Sequence, residues 1–411
     1  MFQFVETFHV ALLAGGLSTF AFCLLLVLTK QFHGKLTMDS MAGVQKFHTE
    51  PTPRVGGIPI FVGLVVCWYL APAGVANILG MMLLAGLPAF VFGLAEDLTK
   101  RVGVRERLFA TIASGAMACY LFGSGLDRLD VWGLDGLMLF WPVSFAFTAF
   151  AVGGVANAIN IIDGFNGLAG GAILISLCSL GLMAYSVNDF ELARLCFLLG
   201  GVVVGFLAVN FPFGKIFLGD GGAYLMGFLL AWTAVLLLVR NPSVSVWAPL
   251  LACGFPVIEV AYSIWRRRLH DVPPGSPDRL HLHSLVKVRV IMPRVKHWRP
   301  VYRNALVSPV IWLYAVVPAS LGLIFHQNTL MLLVSAVGSV VVYSVFYRKL
   351  ERRAKVRAEV GAYDLSQFDE LGENQREESS SIRNDQDIDR LANLPNSEAA
   401  NSPIYVKTRH P

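Results

Sequence analysis

Hydrophobic residues in this chain gather into long, nearly unbroken runs separated by short polar islands. Eleven runs of roughly 16 to 24 residues lie near 7–29, 57–72, 74–95, 106–125, 137–157, 167–187, 191–212, 217–238, 245–265, 302–324 and 327–347. A helix needs about 20 apolar residues to cross roughly 30 Å of hydrocarbon, so each run predicts a membrane-spanning helix. The run at 57–72 is short and meets its neighbour at Pro72, which makes that pair the weakest of the set. The first run is long, lacks a basic leader and is followed by Lys30 in place of a small-residue cleavage site, so it reads as a membrane anchor and not as a removable signal peptide. The expected fold class is an all-α polytopic integral membrane protein with about 11 transmembrane helices.

Composition agrees. Of 411 residues, 55% are hydrophobic and 15% charged, against about 25% charged in a soluble domain. Six cysteines (Cys23, Cys67, Cys119, Cys178, Cys196, Cys253) all fall inside apolar runs without CxxC spacing. They read as packing residues, not disulfides or zinc ligands.

Basic residues are retained on the cytoplasmic side of a membrane. With the N-terminus periplasmic and eleven spans, the inner loops collect Lys30, Lys35, Lys46, Arg54, Lys100, Arg101, Arg105, Arg107, Lys215 and the series beginning Arg266, Arg267, Arg268. The outer loops hold little beyond Arg128 and Arg240, with Asp127, Asp130, Asp135 and Asp189. The C-terminus is then cytoplasmic. Two regions are expected: a transmembrane domain over 1–350 and a cytoplasmic, mostly disordered tail over 351–411, where RKLERRAKVR gives way to a polar stretch too poor in apolar residues to offset its ordering entropy. No soluble second domain or internal repeat stands out.

Five polar islands, HTEPTPRVGG (48–57), EDLTKR (96–101), NAINIIDGFNG (157–167), NFPFGKIFLGDGG (210–222) and PPGSPDRLHLHS (273–284), all fall at cytoplasmic ends of the runs. Each has a plain structural reading. Glu96 and Asp97 could be helix-terminal charges, Asp163–Gly164 a turn, and the glycines around Asp220 a helix-packing surface. Against these stands the cost of polar groups in lipid, which marks intramembrane acids as functional. Asn160 and Asp163 share a helix face, and glycines beside Asp220 let backbone N–H groups approach an anion. His281 and His283 lie on one side of an extended segment. With Arg279 they form a cationic reader of phosphate. Carboxylates of Asp97, Asp163 and Asp220 beside that loop suit Mg²⁺, with Mn²⁺ as the alternative, and a phosphorylated substrate. One substrate can arrive from water and the other from the bilayer.

HTEPTPRVGGIPIF, GLAEDLTKR, NAINIIDGFNGLAGG, FLGDGGAYLMGF and PDRLHLHSL occur in this order and together resemble the polyprenyl-phosphate N-acetylhexosamine-1-phosphate transferase family over about residues 1–350. The resemblance implies a multi-pass enzyme of the bacterial inner membrane with its active site facing the cytoplasm. It would move a sugar-1-phosphate from a UDP-sugar donor to undecaprenyl phosphate, release UMP and use no nucleic acid. Carried onto this sequence, it places the acidic pair on Glu96 and Asp97, the Mg²⁺-binding aspartate on Asp220, with Asp163 beside it, and the Asn/Asp pair on Asn160 and Asp163. Substrate-binding positions fall on His48, Arg54, Lys100, Asn166, Glu259, Arg279, His281 and His283. Between the two acids, Asp220 is expected to hold metal and Asp97 to deprotonate the attacking lipid phosphate. A homodimer is left open.

Three departures matter. Glu96 stands where many relatives have aspartate, Asn166 where many have a second aspartate, and Ser284 interrupts the histidine run. HTEPTPRVGG lacks the pattern of phospho-N-acetylmuramoyl-pentapeptide transferase and is closer to initiators of O-antigen, common-antigen or capsule synthesis, for which N-acetylglucosamine is the commonest donor sugar. The rival reading is a transporter or flippase. It predicts polar residues near the bilayer midplane, whereas here they collect at one face. A membrane scaffold acting through the tail explains none of the islands.

Overall fold

The protein is described by a computed structural model over residues 2–39, 52–269, 278 and 280–359. His48, Arg279 and the tail beyond residue 359 lie outside the described residues.

Every apolar run is helical. In chain order the elements are α1 (Phe2–Leu28), α2 (Lys30–Thr37), β1 (Met38–Asp39), β2 (Thr52–Pro53), α3 (Gly57–Leu70), α4 (Ala73–Thr99), α5 (Val104–Phe122), α6 (Asp135–Met138), α7 (Trp141–Ile162) and α8 (Leu168–Ser186). They continue with α9 (Phe190–Asn210), α10 (Gly219–Arg240), α11 (Trp247–Ala252), α12 (Gly254–Leu269), α13 (Leu282–Val286), α14 (Pro300–Ala305), α15 (Val307–Ile324) and α16 (Thr329–Glu359). A single π-helical turn, Lys287–Ile291, follows α13. The two short strands pair antiparallel, Met38 with Pro53 and Asp39 with Thr52.

Eight helices among the described residues are long and apolar enough to cross a membrane: α1, α4, α7, α8, α9, α10, the continuous α14–α15 and α16. The remaining three runs are helical too, and each departs from a plain span for a local reason. α3 has 14 residues and stops before Pro72. α5 opens with Arg105, Glu106 and Arg107. The run at 245–265 breaks at Cys253 into α11 and α12. The fold is thus all-α and polytopic.

α10 is the centre. Nearly all of its residues are buried, from Gly219 to Leu238, against α3, α4, α7 and α8. A helix apolar on every side belongs inside the bundle, whereas α1 and α16 turn Leu13, Leu17, Val334 and Val337 outward. Lipid offers helices no hydrophobic gain for pairing, so close approach through small residues and buried polar contacts carries the packing. Gly93 on α4 has its Cα against the Asp220 backbone, where an added Cβ would lie 2.7 Å from it, and Gly57 sits equally close to Gly222. Those two contacts bring α3 and α4 onto the start of α10. Contacts divide the chain into Met1–Leu350 and Glu351–Pro411, and the site lies in the first of these.

Candidate active site

Asp220 occupies the first turn of α10 and is 1% exposed. Asp97, in the last turn of α4 and also 1% exposed, accepts the backbone N–H groups of Asp220 and Gly221 at 2.9 Å each. A helix start leaves such N–H groups without intrahelical partners and carries partial positive charge, so a carboxylate there is favourable. Gly219 adopts φ +75°, and a Cβ on it would meet the Arg54 carbonyl oxygen at 2.5 Å and an Asp97 carboxylate oxygen at 2.6 Å. Glycine is therefore required at that position. Both Asp97 oxygens accept N–H groups of α10, so its side chain positions Asp220.

The Asp220 carboxylate gathers three donors from three other segments. Arg54, on the turn after β2, and Arg107, in the first turn of α5, each pair with it, and Asn160 Nδ2, at the end of α7, donates to Oδ1 at 3.0 Å. Arg54 Nε also lies 3.4 Å from Asp97. Tyr224 Oη, one turn into α10, donates to Asn160 Oδ1 at 3.2 Å. Asp163, just past α7, lies near the Gly219 N–H and within the field of Arg54 and Asp220. Withdrawal from water pushes the Asp163 carboxyl up to about 7, with Arg54 opposing, Asp220 adding to the rise and the Gly219 N–H opposing.

With all three acids ionised, Asp97, Asp163 and Asp220 outnumber Arg54 and Arg107 by one charge. Among the described residues no three His, Cys, Asp or Glu side chains converge on one point. Mg²⁺ takes one or two carboxylates and completes its shell with water and phosphate oxygens, so Asp220 with neighbouring Asp163 fits it. Zinc, which asks for three or four protein ligands, does not fit.

Glu259 and the histidines form a second cluster. Glu259, 1% exposed on α12, accepts His281 Nδ1 at 3.0 Å, the Leu282 N–H at 3.1 Å and the Tyr343 hydroxyl at 2.8 Å. Asp278 accepts Arg266, Arg267 (3.2 Å) and the Ser263 hydroxyl (2.9 Å). Burial alone would raise its carboxyl, yet His281, the Leu280 N–H, Arg266 and Ser263 hold it at about 2. Tyr347 donates to the Leu280 carbonyl at 2.8 Å. The segment is thus fastened to α12 and α16. His283 stacks on His281, meets Phe165 edge-on and reaches Gly164, which ties this cluster to the Asp163 turn. Burial, with His281 adding, pushes the His283 imidazole down to about 4 despite Glu259 and Asp278. The folded state thus favours the neutral ring, because the cost of burying charge outweighs two nearby acids.

Other expected positions are held by structure. Glu96 accepts the Val102 N–H at 2.9 Å and shapes the α4–α5 turn. Lys100 is exposed at φ 56° at the end of α4. Asn166 donates to the Pro212 carbonyl at 3.0 Å and Asn157 to Thr111 and Gly153, at 2.8 Å each, so these two amides brace loops and helices while Asn160 faces Asp220. Sequence reasoning missed Arg107 and Tyr224. The first was counted only as loop charge, although a guanidinium inside the first turn of an apolar helix already calls for a partner. Tyr224 follows Asp220 by four residues, one helical turn.

The described residues thus place a carboxylate–guanidinium cluster at one end of the central helix of a helical membrane protein. Residues 79–238 match the family model described as glycosyl transferase family 4. That stretch runs from α4 to α10 and carries Asp97, Arg107, Asn160, Asp163, Asp220 and Tyr224. The chain is 27% identical over 266 residues to an undecaprenyl-phosphate alpha-N-acetylglucosaminyl 1-phosphate transferase of Yersinia pestis, covering 61% of this chain and 70% of that protein. A protein of Bacillus subtilis named as a probable undecaprenyl-phosphate N-acetylglucosaminyl 1-phosphate transferase is 28% identical over 244 residues, 58% of this chain and 66% of that one. The Escherichia coli K12 relative, named as the Yersinia protein is, is 25% identical over 279 residues, 64% and 72%. The resemblance read from the ordered motifs therefore holds, and the transporter alternative has no support in these relatives.

Proposed function

We propose that this protein transfers N-acetylglucosamine-1-phosphate from UDP-N-acetylglucosamine to undecaprenyl phosphate and releases UMP, the first step of a lipid-linked glycan such as an O-antigen, common antigen or capsule. The observation that carries the proposal is the convergence of Arg54, Arg107 and Asn160 on Asp220, all but Arg54 lying in the 79–238 stretch that matches the glycosyl transferase family 4 model. In the proposed orientation the chain spans the bacterial inner membrane and this end of the bundle faces the cytoplasm, a reading the distribution of basic residues supports.

Phosphoryl transfer depends on positioning and charge stabilisation. An oxygen of the lipid phosphate attacks the sugar-bearing phosphorus, and the bond from that phosphorus to the bridging oxygen breaks, so that oxygen leaves with UMP. Asp220, with Asp163, would hold Mg²⁺, or Mn²⁺ in its place, and the ion would supply neutralising charge to the diphosphate and the leaving group. Arg54 and Arg107 are partly open to solvent, with side chains 29% and 16% exposed. They are placed to turn from Asp220 onto donor phosphates, where a guanidinium binds two oxygens at once. Asp97 keeps the α10 start in place throughout. Lys100 and His281 are the further donor contacts in this proposal. Offering the purified protein undecaprenyl phosphate with a panel of UDP-sugars, and identifying the nucleotide released, tests this.

A further inference from the structure

We infer that Tyr224 is a positioning residue of this transferase centre, acting through Asn160 on Asp220. Resting on the functional reading above, the inference assigns a part to a side chain that no motif required.

Three donors surround the Asp220 carboxylate, and two of them are guanidinium groups. A guanidinium has only N–H groups to present, so it has no wrong way round. A primary amide has a donor end and an acceptor end, and its other partner decides which faces a carboxylate. Asn160 presents Nδ2 to Asp220 Oδ1 at 3.0 Å. Its oxygen accepts the Tyr224 hydroxyl at 3.2 Å. A phenol donates readily, so it selects the amide orientation that Asp220 needs. Reversing the amide would set a carbonyl oxygen against the carboxylate and its N–H group toward the phenol.

Position supports the same reading. Tyr224 and Asp220 lie one turn apart on α10, and Tyr224 is 4% exposed, held by helix packing and out of reach of bulk water. Asn160 belongs to the last turn of α7. The relay Tyr224–Asn160–Asp220 thus starts and ends on α10 and spans to the helix that leads into Asp163. It fixes the distance from Asp220 to the α7 end, which packing of small residues alone leaves adjustable. Mere satisfaction of a buried hydroxyl is the plain alternative. It predicts that losing the hydroxyl lowers stability, through the same Asn160 contact, but leaves kcat at the wild-type value.

A double-mutant cycle separates the two. Tyr224→Phe should lower kcat about tenfold while KM for UDP-N-acetylglucosamine stays within about twofold, because the relay orients a carboxylate and does not grip the donor. In an Asn160→Ala background the same change should have no further effect on kcat, and the two substitutions should be equally non-additive in the detergent melting temperature. Wild-type kcat in Tyr224→Phe, or effects that multiply in the double variant, would overturn the inference. If the wild-type protein releases no UMP from any donor, the functional reading falls instead, and the melting cycle decides the Tyr224–Asn160 link by itself.

Discussion

The carboxylate of Asp97 holds the backbone N–H groups of Asp220 and Gly221 at 2.9 Å, joining the end of α4 to the start of the central helix. Asp97 and Asp220 lie 123 residues apart in sequence, yet the first sets where the second points. Hydrogen bonds to a charged group contribute about 1.5–3 kcal/mol each, enough to fix a helix terminus.

Asp97→Asn follows from this contact. An amide can accept one of the two N–H groups but turns its own N–H toward the other. Turnover should fall on the order of a hundredfold, and the Mg²⁺ concentration for half-maximal activity should rise several-fold, because Asp220 shifts. A metal titration of activity checks it, and unchanged Mg²⁺ dependence would return Asp97 to the role of a base.

Arg107→Met removes one of the two guanidinium partners of Asp220, which is 1% exposed. Breaking a buried pair costs about 3–5 kcal/mol. Arg54 remains, so we expect about 2 kcal/mol, read as a lower melting temperature in detergent. Added Mg²⁺ should raise that temperature more in the variant than in the wild type, since a cation then replaces the lost charge. Equal shifts in both would contradict a metal at Asp220.

At Glu259 the expected loss is in donor recognition. Glu259→Ala leaves His281, the Leu282 N–H and the Tyr343 hydroxyl without their shared acceptor, so the 280–286 segment loosens. KM for the UDP-sugar should rise more than tenfold. Tyr343→Phe removes one donor and leaves the other two, and should cost about 1 kcal/mol of stability with a smaller rise in KM. Steady-state kinetics of the two variants order them.

His283 gives a pH dependence of stability. Its imidazole titrates near 4 in the folded protein against 6.5 as a model group, so the folded state favours the neutral ring. Its stabilising contribution is present above pH 6.5 and is lost as pH falls through about 4. Asp163, whose carboxyl is raised to about 7, acts in the opposite sense over this range, so the signature is a difference: between those limits the wild type should lose melting temperature relative to His283→Gln as pH falls. An equal slope in the variant would assign the pH dependence to other groups.

Much of this was legible in the chain because lipid punishes exceptions. Eleven apolar runs became helices, and Asp163, Asp220 and Asn160 stood out as polar groups that hydrocarbon would not tolerate without purpose. Which asparagine did what was not legible. Asn157, Asn160 and Asn166 look alike in sequence, and only packing sends one to Thr111, one to Asp220 and one to Pro212. Arg107 hid among loop charges and Tyr224 among the aromatics of an apolar helix. The capping role of Asp97 was out of reach for the same reason, since its partner is a backbone whose position no spacing encodes. His283 showed its ring but not its burial.

The nucleotide released when purified protein meets undecaprenyl phosphate and UDP-N-acetylglucosamine tests the central claim most directly. Cleavage at the bridging oxygen gives UMP and a lipid carrying a diphosphate-linked sugar. Release of UDP would mean that the sugar alone is transferred, and no turnover with any UDP-sugar would mean that the cluster around Asp220 serves another reaction.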